Sequence, residues 1–216
     1  MDMETNRIEN NQATISGEIV SDFEFSHELF GEKFYVAKLA SKRKSGAIDT
    51  IPIMVSERLA DVKADWIGQY VRISGQFRSY NRHEENRSRL ILSVFARELE
   101  VLEDGGTIKP IDENDVFLDG YICKQPTYRE TPLGREIADL LIAANRFYGK
   151  SDYIPCICWG RNARFASSFE AGEHVIIWGR IQSREYCKKI FDNEVETRTA
   201  YEVSVSKLEV MEEAEE

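Results

Sequence analysis

The feature that most restricts how this chain of 216 residues can fold is an internal repeat. The segment NQATISG (11–17) shares its Asn and its Gly with NDVFLDG (114–120), 103 positions further on. Two further segments match. D-x-I-P occurs at 49–52 and at 152–155, again 103 positions apart. G-x-x-V-x-I-x-G occurs at 68–75 and at 172–179, 104 positions apart because one residue is inserted. Because several spaced matches in one register are not expected by chance, we interpret the chain as a tandem duplication.

The repeat divides the chain into five segments. We expect a disordered head (1–10), a first unit (11–102), a linker (103–113), a second unit (114–210) and a short acidic tail (211–216). The linker, EDGGTIKPIDE, contains a Gly-Gly pair, a proline and several acidic residues, a composition typical of flexible connections.

Each unit is composed mainly of predicted β-strands. In the second unit, five segments are rich in Val, Ile, Tyr and Trp and partly alternate between apolar and polar residues: 115–123, 136–147, 152–159, 174–186 and 197–210. The segment 136–147 also fits an amphipathic helix, and the repeat favours the strand. Between the third and fourth strands, 160–173 suits a short helix, and 57–68 occupies the same place in the first unit. We therefore predict an all-β protein of two tandem OB-folds, which are five-stranded Greek-key barrels, each with a short helix between strands 3 and 4.

The formal net charge of −10 does not decide which partners are possible. The first unit carries 13 Lys/Arg against 13 Asp/Glu, and the second carries 13 against 14. Clustered basic side chains could therefore still form a positive face. No apolar run approaches the roughly 20 residues of a membrane helix. The polar, acidic N-terminal segment does not resemble a secretory signal, so we expect a cytoplasmic protein with reduced thiols.

Two cysteines in the segment DYIPCICW (152–159) raise the question of a metal or redox site. In a strand, Cys156 and Cys158 share one face with Ile154, where reduced cysteines act as small apolar residues. A zinc site needs about four ligands at recognisable spacing, and C-x-C with scattered histidines does not supply them. The P-C-x-x-C and H-x-E motifs of zinc deaminases are also absent. We predict that these cysteines pack in the core and that the protein uses no metal or other cofactor.

The opposite face of the same strand, and the strand after it, carry aromatic and basic side chains. A protein that binds single-stranded nucleic acid requires such a mixture, because bases stack on aromatic rings while cationic side chains contact phosphates. The candidate stacking residues are Tyr148, Tyr153, Trp159, Trp178 and Tyr186, and the candidate phosphate-binding residues are Arg146, Lys150, Arg161, Arg180 and Arg184. The alternative is that one or two of these aromatic rings only pack on the edge of the sheet.

Residues 114–210 resemble the bacterial single-stranded DNA-binding proteins. The resemblance lies in N-x-V-x-L-x-G, P-x-x-R-x-T-x-x-G and A-x-N-R within 114–146, in CWGRNA (158–163), and in the segments 179–186 and 199–209. It implies OB-folds that stack bases on Tyr148, Tyr153, Trp159 and Tyr186 without strong sequence preference, in replication, repair or recombination at the nucleoid. It also implies an assembly of four OB-folds, hence a homodimer of this chain. The sequence contains no nucleophile–base pair or phosphate loop, so we do not expect an enzyme.

The first unit departs from this pattern. At the 103-residue offset, the counterparts of Tyr148, Tyr153 and Trp159 are Ser45, Thr50 and Ser56. The remaining candidates form a secondary basic track that would follow phosphates: Lys42, Arg43, Lys44, Arg78, Tyr80, Arg82, Arg87 and Arg89. We therefore expect the second unit to carry most of the affinity. The alternative is that these basic residues form an ordinary solvated hairpin.

The tail MEEAEE is acidic but lacks the Ile-Pro-Phe-type tip by which the family recruits partner enzymes. Contacts with replication or repair proteins by that route are therefore not expected. A second functional class remains open at this point: a primosome-type protein-interaction adapter on OB-folds, with weak or no DNA binding. The sequence also does not distinguish DNA from RNA.

Overall fold

The computed structural model describes residues 10–84, 87–102, 112–146, 149–191 and 194–211. Within these ranges, the first unit contains β1 (Asn11–Ile19), β2 (Glu24–Leu29), β3 (Glu32–Lys42), β4 (Ile48–Ser56), β5 (Tyr70–Glu84) and β6 (Arg87–Val101). The second unit contains β7 (Asn114–Ile122), β8 (Thr127–Glu130), β9 (Glu136–Asn145), β10 (Ser151–Trp159), α1 (Arg161–Ala166), β11 (His174–Phe191) and β12 (Glu194–Val210). The predicted head up to residue 9, residues 103–111 of the linker and residues 212–216 of the tail lie outside the described residues.

The five predicted strands of the second unit are confirmed, including β9, for which a helix was the alternative. Period-2 burial explains this, because Ala138, Leu140, Ile142 and Ala144 are buried at every second position of one ten-residue strand. The short strand β8 was not predicted. Its four residues are all exposed, so it carries no apolar alternation that a sequence pattern could show.

Five strands of each unit close into a ring. In the first ring β1 pairs with β3 and β5, β3 pairs with β4, β4 runs parallel to β6, and β6 pairs with β5. In the second ring β7, β9, β10, β12 and β11 repeat the same scheme. The strands β2 and β8 lie outside the rings, paired to β3 and β9 at the two ends of the strand order. Closure pairs the strand edges within each ring and encloses its core.

An antiparallel pairing of β1 with β7 joins the two rings into one sheet of twelve strands. Asn11 lies opposite Leu118, and Ile15 lies opposite Asn114. These two pairs exchange under the 103-residue offset, so the two units are related by an approximate two-fold axis near Ala13. A duplicated sequence therefore forms, within one chain, the kind of self-complementary contact that a symmetric dimer forms between chains.

The residues of the repeat have a structural explanation. The Asn11 amide donates to the carbonyl of Phe77 (2.7 Å) and accepts its N–H (2.9 Å), and Asn114 makes the same pair of bonds with Ile181 (2.8 and 2.7 Å). The repeated glycines are Gly17 on β1 and Gly120 on β7, and they lie where these strands cross β3 and β9. A Cβ at Gly120 would lie 2.5 Å from the carbonyl oxygen of Ala143, so no larger residue fits there.

The helix predicted at 57–68 of the first unit is wrong, because residues 57–69 form turns. Asp61 explains the difference. Its carboxylate accepts the N–H of Lys63 (3.1 Å) and its carbonyl accepts the indole N–H of Trp66 (2.8 Å). Such local bonds compete with the backbone bonds of a helix. In the second unit the six-residue helix α1 occupies this position. No helix in the described ranges is long and apolar enough to cross a membrane.

The predicted burial of the two central cysteines is confirmed. Cys156 and Cys158 are 2% and 0% exposed and pack with Ile154 in the core. Burial raises the pKa of both thiols, that of Cys158 to about 12, so neither is a thiolate at neutral pH. Within the part of the chain that the structure describes, no three His, Cys, Asp or Glu side chains are grouped as metal ligands.

Candidate nucleic-acid interface

Strand β10 presents two aromatic rings on the outside of the second ring of strands. Tyr153 and Trp159 are 44% and 39% exposed, whereas the intervening Ile157 on the same face is buried. Tyr153 and Trp159 are six positions apart in the strand, which separates the two side chains by about 20 Å. Each ring can therefore receive a different base of an extended strand.

Strand β11 supplies the second group of aromatic residues. Its Val175, Ile177 and Ile181 point into the core, and Tyr186 is exposed on the other face, as predicted. Trp178 is half-buried, and its ring contacts Phe117 edge-on and lies 4.3 Å from the ammonium of Lys207. Trp178 is thus covered by neighbours, whereas Tyr186 is available to a ligand.

The strand register shows how these rings are arranged. Arg180, Ser204 and Ile157 lie in one row across β11, β12 and β10 and share the outer face. Because β10 runs antiparallel to β11, Tyr153 and Tyr186 lie towards one end of this face. Trp159 and Trp178 lie towards the other end.

The second unit also exposes aromatic residues that were not predicted, among them Tyr121 and Phe165. Tyr121 of β7 and Tyr153 of β10 both lie opposite Ala143 of β9, which places all three in one row, and Tyr121 stacks on His174 at 4.7 Å. Phe165 on α1 is 48% exposed. The pattern of residues along one β-strand does not show that Tyr121 and Tyr153 are neighbours, because they lie on different β-strands that are brought together only by pairing with β9.

The predicted phosphate-binding residues fall into two groups. Lys150 and Arg161 are exposed, and Arg184 is 57% exposed and lies 3.9 Å from Glu202. Arg180 and Arg146, in contrast, contact buried carboxylates of Asp49 and Asp152. Burial and the neighbouring Arg43 lower the pKa of Arg180, although the charge of Asp49 opposes this effect. The first group faces solvent beside the aromatic rings, and the second group holds the two units together.

The contact made by Arg146 fixes the start of β10 against the first unit. Its Nε donates to Oδ2 of Asp152 (2.6 Å), and this carboxylate is only 2% exposed. The other oxygen of Asp152 accepts the N–H of Ser79 in β5 (2.6 Å). Ser79 in turn accepts the N–H of Tyr153 at its Oγ (2.7 Å). The backbone of a candidate stacking residue is therefore held by a side chain of the other unit.

The same arrangement occurs across the approximate two-fold axis. Arg43 donates from Nε to Oδ2 of Asp49 (2.6 Å), and Oδ1 accepts the N–H of Ser183 in β11 (2.7 Å). The Ser183 hydroxyl accepts the N–H of Thr50 (3.2 Å). We call these two networks the clasp: Arg43, Asp49 and Ser183 on one side, and Arg146, Asp152 and Ser79 on the other. The sequence signal that could have revealed the clasp was the repeated Asp of D-x-I-P.

Charge stabilises the clasp at Asp49. Burial raises the pKa of this carboxyl group. The hydrogen bonds from Arg43 and Ser183 and the charges of Arg43 and Arg180 lower the pKa by a larger amount. The net effect is a pKa below its ordinary value, so Asp49 is ionised in the folded protein at neutral pH.

Some predicted residues cannot be placed. Tyr148 lies outside the described residues, as do the side chains of Arg82, Arg87 and Arg89. Among the other residues of the basic track, Lys42 and Lys44 are exposed, Arg43 belongs to the clasp, and Tyr80 is 41% exposed. The guanidinium carbon of Arg78 lies over the ring of Phe95, 4.0 Å from its centroid.

At the described positions that correspond to Tyr153 and Trp159, the first unit has Thr50 and Ser56 instead of aromatic residues. Thr50 is half-buried, and Ser56 donates its hydroxyl to Glu32. It has aromatic residues elsewhere on its outer face. Phe34 and Phe95 lie 5.7 Å apart, and His27 stacks on Phe34. A comparison of repeat-equivalent positions cannot find these residues.

Comparison with known proteins agrees with this geometry. Residues 113–211 match the Single-strand binding protein family. The chain is 34% identical over 93 residues to Single-stranded DNA-binding protein 2 of Listeria innocua, covering 38% of this chain and 58% of that protein. It is 32% identical over 80 residues to Single-stranded DNA-binding protein B of Bacillus subtilis, covering 34% of this chain and 71% of that protein.

Solved structures match the fold of both units. A deletion mutant of the single-stranded DNA binding protein from Thermus aquaticus superposes with a TM-score of 0.71 at 20% identity, over 95% of this chain and 96% of that chain. The chain thus spans little more than half the length of the Listeria relative but nearly all of the Thermus structure. By the sequence of its second unit, the chain belongs to the single-strand binding protein family.

Proposed function

We propose that this protein binds single-stranded DNA without strong sequence preference and is not an enzyme. The observation that carries the proposal is the outer face of β10, where Tyr153 and Trp159 are exposed on a strand whose inner face is core. Apolar rings of this size gain from burial, and a base stack buries them without reading the sequence. The work of such a protein is the protection of exposed strands in replication, repair or recombination, in the cytoplasm at the nucleoid.

The energetics favour several weak contacts over one strong contact. Each base–aromatic stack contributes about 1–3 kcal/mol, so Tyr153, Trp159 and Tyr186 together could supply most of the affinity of a small module. Lys150, Arg161 and Arg184 are exposed within three residues of these rings in the sequence, and their contacts with phosphates would make binding salt-dependent.

The proposal includes the organisation of the chain as two tandem OB-folds, residues 11–102 and 114–210, joined by the linker 103–113. The closed five-strand rings and their approximate two-fold relation support it. We also propose a homodimer, which would bring four OB-folds together.

The proposal is tested by fluorescence titration of the full chain with oligo-dT across a range of salt concentrations. Trp159→Ala and Tyr186→Ala should each weaken binding by about tenfold or more at moderate salt. The matched control is Leu133→Ala, which truncates another exposed apolar side chain (85%) at the tip of the β8–β9 hairpin and should leave affinity unchanged. Far-UV circular dichroism verifies that each variant is folded.

If the wild-type chain does not bind oligo-dT at low salt, the proposal is wrong. The alternative, a protein-interaction adapter on the same fold, would then be favoured. If the two aromatic variants bind as the control does, single-strand binding stands but the assignment of the β10–β11 face is wrong.

A further inference from the structure

The start of β10 is paired with a strand of the second ring on one side only. On that side β10 pairs with β9 along its whole length, from Ser151 to Trp159. On the other side, its described pairing with the parallel strand β12 covers only Cys156 and Ile157. The backbone around Tyr153 therefore needs a second hydrogen-bond partner that is not a neighbouring strand of its own ring.

That partner is Ser79, a buried residue of β5 in the first unit. Its hydroxyl accepts the N–H of Tyr153 (2.7 Å). Its own N–H donates to Oδ1 of Asp152 (2.6 Å), and its carbonyl accepts a guanidinium N–H of Arg146 (2.9 Å). The hydroxyl, the N–H and the carbonyl of one residue of the first unit thus all bond to the start of β10 or to the arginine that holds it.

The counterpart of Ser79 across the approximate two-fold axis is Ser183, which holds a residue without a ring. The Ser183 hydroxyl accepts the N–H of Thr50 at 3.2 Å, a longer bond than the 2.7 Å bond between Ser79 and Tyr153. The strand that begins near Thr50, β4, also pairs with its parallel neighbour β6 at just two described positions. The two hydroxyls therefore have the same structural task at the start of equivalent strands, but of the two only Ser79 holds an aromatic residue.

We infer that Ser79 is a positioning residue for base stacking, which acts through the backbone of Tyr153 and does not itself contact nucleic acid. Because it takes Tyr153 as a stacking residue, this inference rests on the proposed function. The stacking face of the second unit is then incomplete without the first unit, even for an oligonucleotide short enough to lie on the second unit alone.

The physical reason is the cost of ordering a residue when a ligand binds. The end of a strand that is bonded on one side only opens more readily than a strand bonded on both sides. A base that stacks on such a residue must first order it, which lowers affinity by about twofold to tenfold for one side chain. Because Ser79 already fixes the backbone of Tyr153, this cost is avoided, while the ring itself stays exposed to receive the base.

The test compares Ser79→Ala with its matched control Ser183→Ala in the full chain. Each variant removes one hydroxyl and leaves the N–H at the start of one strand without its acceptor, so the two should lower the Tm by similar amounts. Binding is measured by the fluorescence anisotropy of a labelled oligo-dT of about 8 nucleotides, which fits one OB-fold. Ser79→Ala should weaken binding about threefold to fivefold, whereas Ser183→Ala should bind within about 1.5-fold of the wild type.

Two double-mutant cycles locate the effect on Tyr153. In a Tyr153→Ala background, Ser79→Ala should cause no further loss of affinity, because the ring that it positions is gone. In a Trp159→Ala background the two losses should multiply, because Trp159 lies about 20 Å away at the other end of β10. Hydrogen exchange measured by NMR should be faster at the Tyr153 amide in Ser79→Ala and unchanged at that amide in Ser183→Ala.

The outcomes distinguish this inference from the proposed function. If Tyr153→Ala weakens binding but Ser79→Ala binds as Ser183→Ala does, or lowers affinity equally in the Tyr153→Ala background, Ser79 is not a positioning residue and single-strand binding stands. If Trp159→Ala weakens binding and Tyr153→Ala does not, this inference is also wrong while single-strand binding stands. If the wild type does not bind the oligonucleotide at low salt, the proposed function fails, and this inference fails with it.

Discussion

The clasp makes a quantitative prediction about the connection between the two units. We expect Asp49→Asn to destabilise the protein strongly, although the side chain keeps its shape. Both oxygens of Asp49 are used: Oδ2 accepts from Arg43 and Arg180, and Oδ1 accepts from Arg43 and from the N–H of Ser183. An amide replaces one of these oxygens by a donor, so either the cations or the Ser183 N–H must lose an acceptor.

The magnitude follows from burial. The Asp49 side chain is 0% exposed, so water cannot replace the lost acceptor. Removing one partner of a buried ion pair costs about 3–5 kcal/mol. The side chains of Arg43 and Arg180 are 28% and 35% exposed and can partly rehydrate, which favours the lower end, about 3 kcal/mol. For a chain of this size that corresponds to a fall in Tm of about 6–12 °C.

The measurement is urea unfolding followed by far-UV circular dichroism, with Asp139→Asn as the control. Asp139 pairs with Arg129 on the surface, both side chains being nearly half exposed, and its loss should cost less than about 1 kcal/mol. A double-mutant cycle of Asp49→Asn with Ser183→Ala should be non-additive, because the two side chains touch. A loss at Asp49 no larger than that at Asp139, or strict additivity in the cycle, would refute the reasoning.

The effect should depend on pH. The folded pKa of Asp49 is lower than that of an unfolded aspartate, which is about 3.9. Its contribution to stability is therefore fully present at pH values above that unfolded pKa and is lost as the pH falls through the folded pKa. The stability gap between the wild type and Asp49→Asn should stay constant from about pH 6 to pH 8 and narrow below about pH 4.

Three further predictions follow from other parts of the molecule. Phe30→Asn should raise the Tm, because Phe30 has a φ of 50° and is 96% exposed at the tip of the β2–β3 hairpin, and Asn adopts this conformation at about 1 kcal/mol less strain; an unchanged or lower Tm in thermal scans would contradict this. The exposed Cys187 should react with a thiol reagent at pH 8 much faster than Cys156 and Cys158, whose burial raises their pKa; mass spectrometry that finds equal labelling of all three in the folded protein would contradict the core assignment. Light scattering should give a mass about twice that of one chain, and a single-chain mass would exclude the homodimer.

The sequence predicted the strands of the second unit because their residues alternate. In β10 and β11, each buried Ile, Val or Cys is followed by a residue on the other face, and this pattern is a local property. The repeated glycines and asparagines were also recognised from the sequence, and the structure assigns them to strand crossings and to paired hydrogen bonds. Local pattern thus determined much of the second ring.

The features that the sequence did not predict depend on contacts between distant residues. Arg146 was assigned to phosphates because nothing local shows that its partner Asp152 is held by Ser79, 73 positions away. Phe34, on the local β2–β3 hairpin, meets Phe95 of β6 only because β4 pairs with both β3 and β6. In the turn at 57–69, the side chain of Asp61 outweighed a composition that otherwise suits a helix.

The antiparallel pairing of β1 with β7 has a consequence for direction. A strand of nucleic acid that crosses a true two-fold axis meets the same surface whether it runs 5′ to 3′ or 3′ to 5′, so a symmetric dimer cannot distinguish the two polarities. Here the axis is only approximate, and the two sides differ: β10 carries Tyr153 and Trp159, and the opposite ring carries Phe34 and Phe95. Fusing the two copies in one chain makes the two orientations of a bound strand inequivalent in energy.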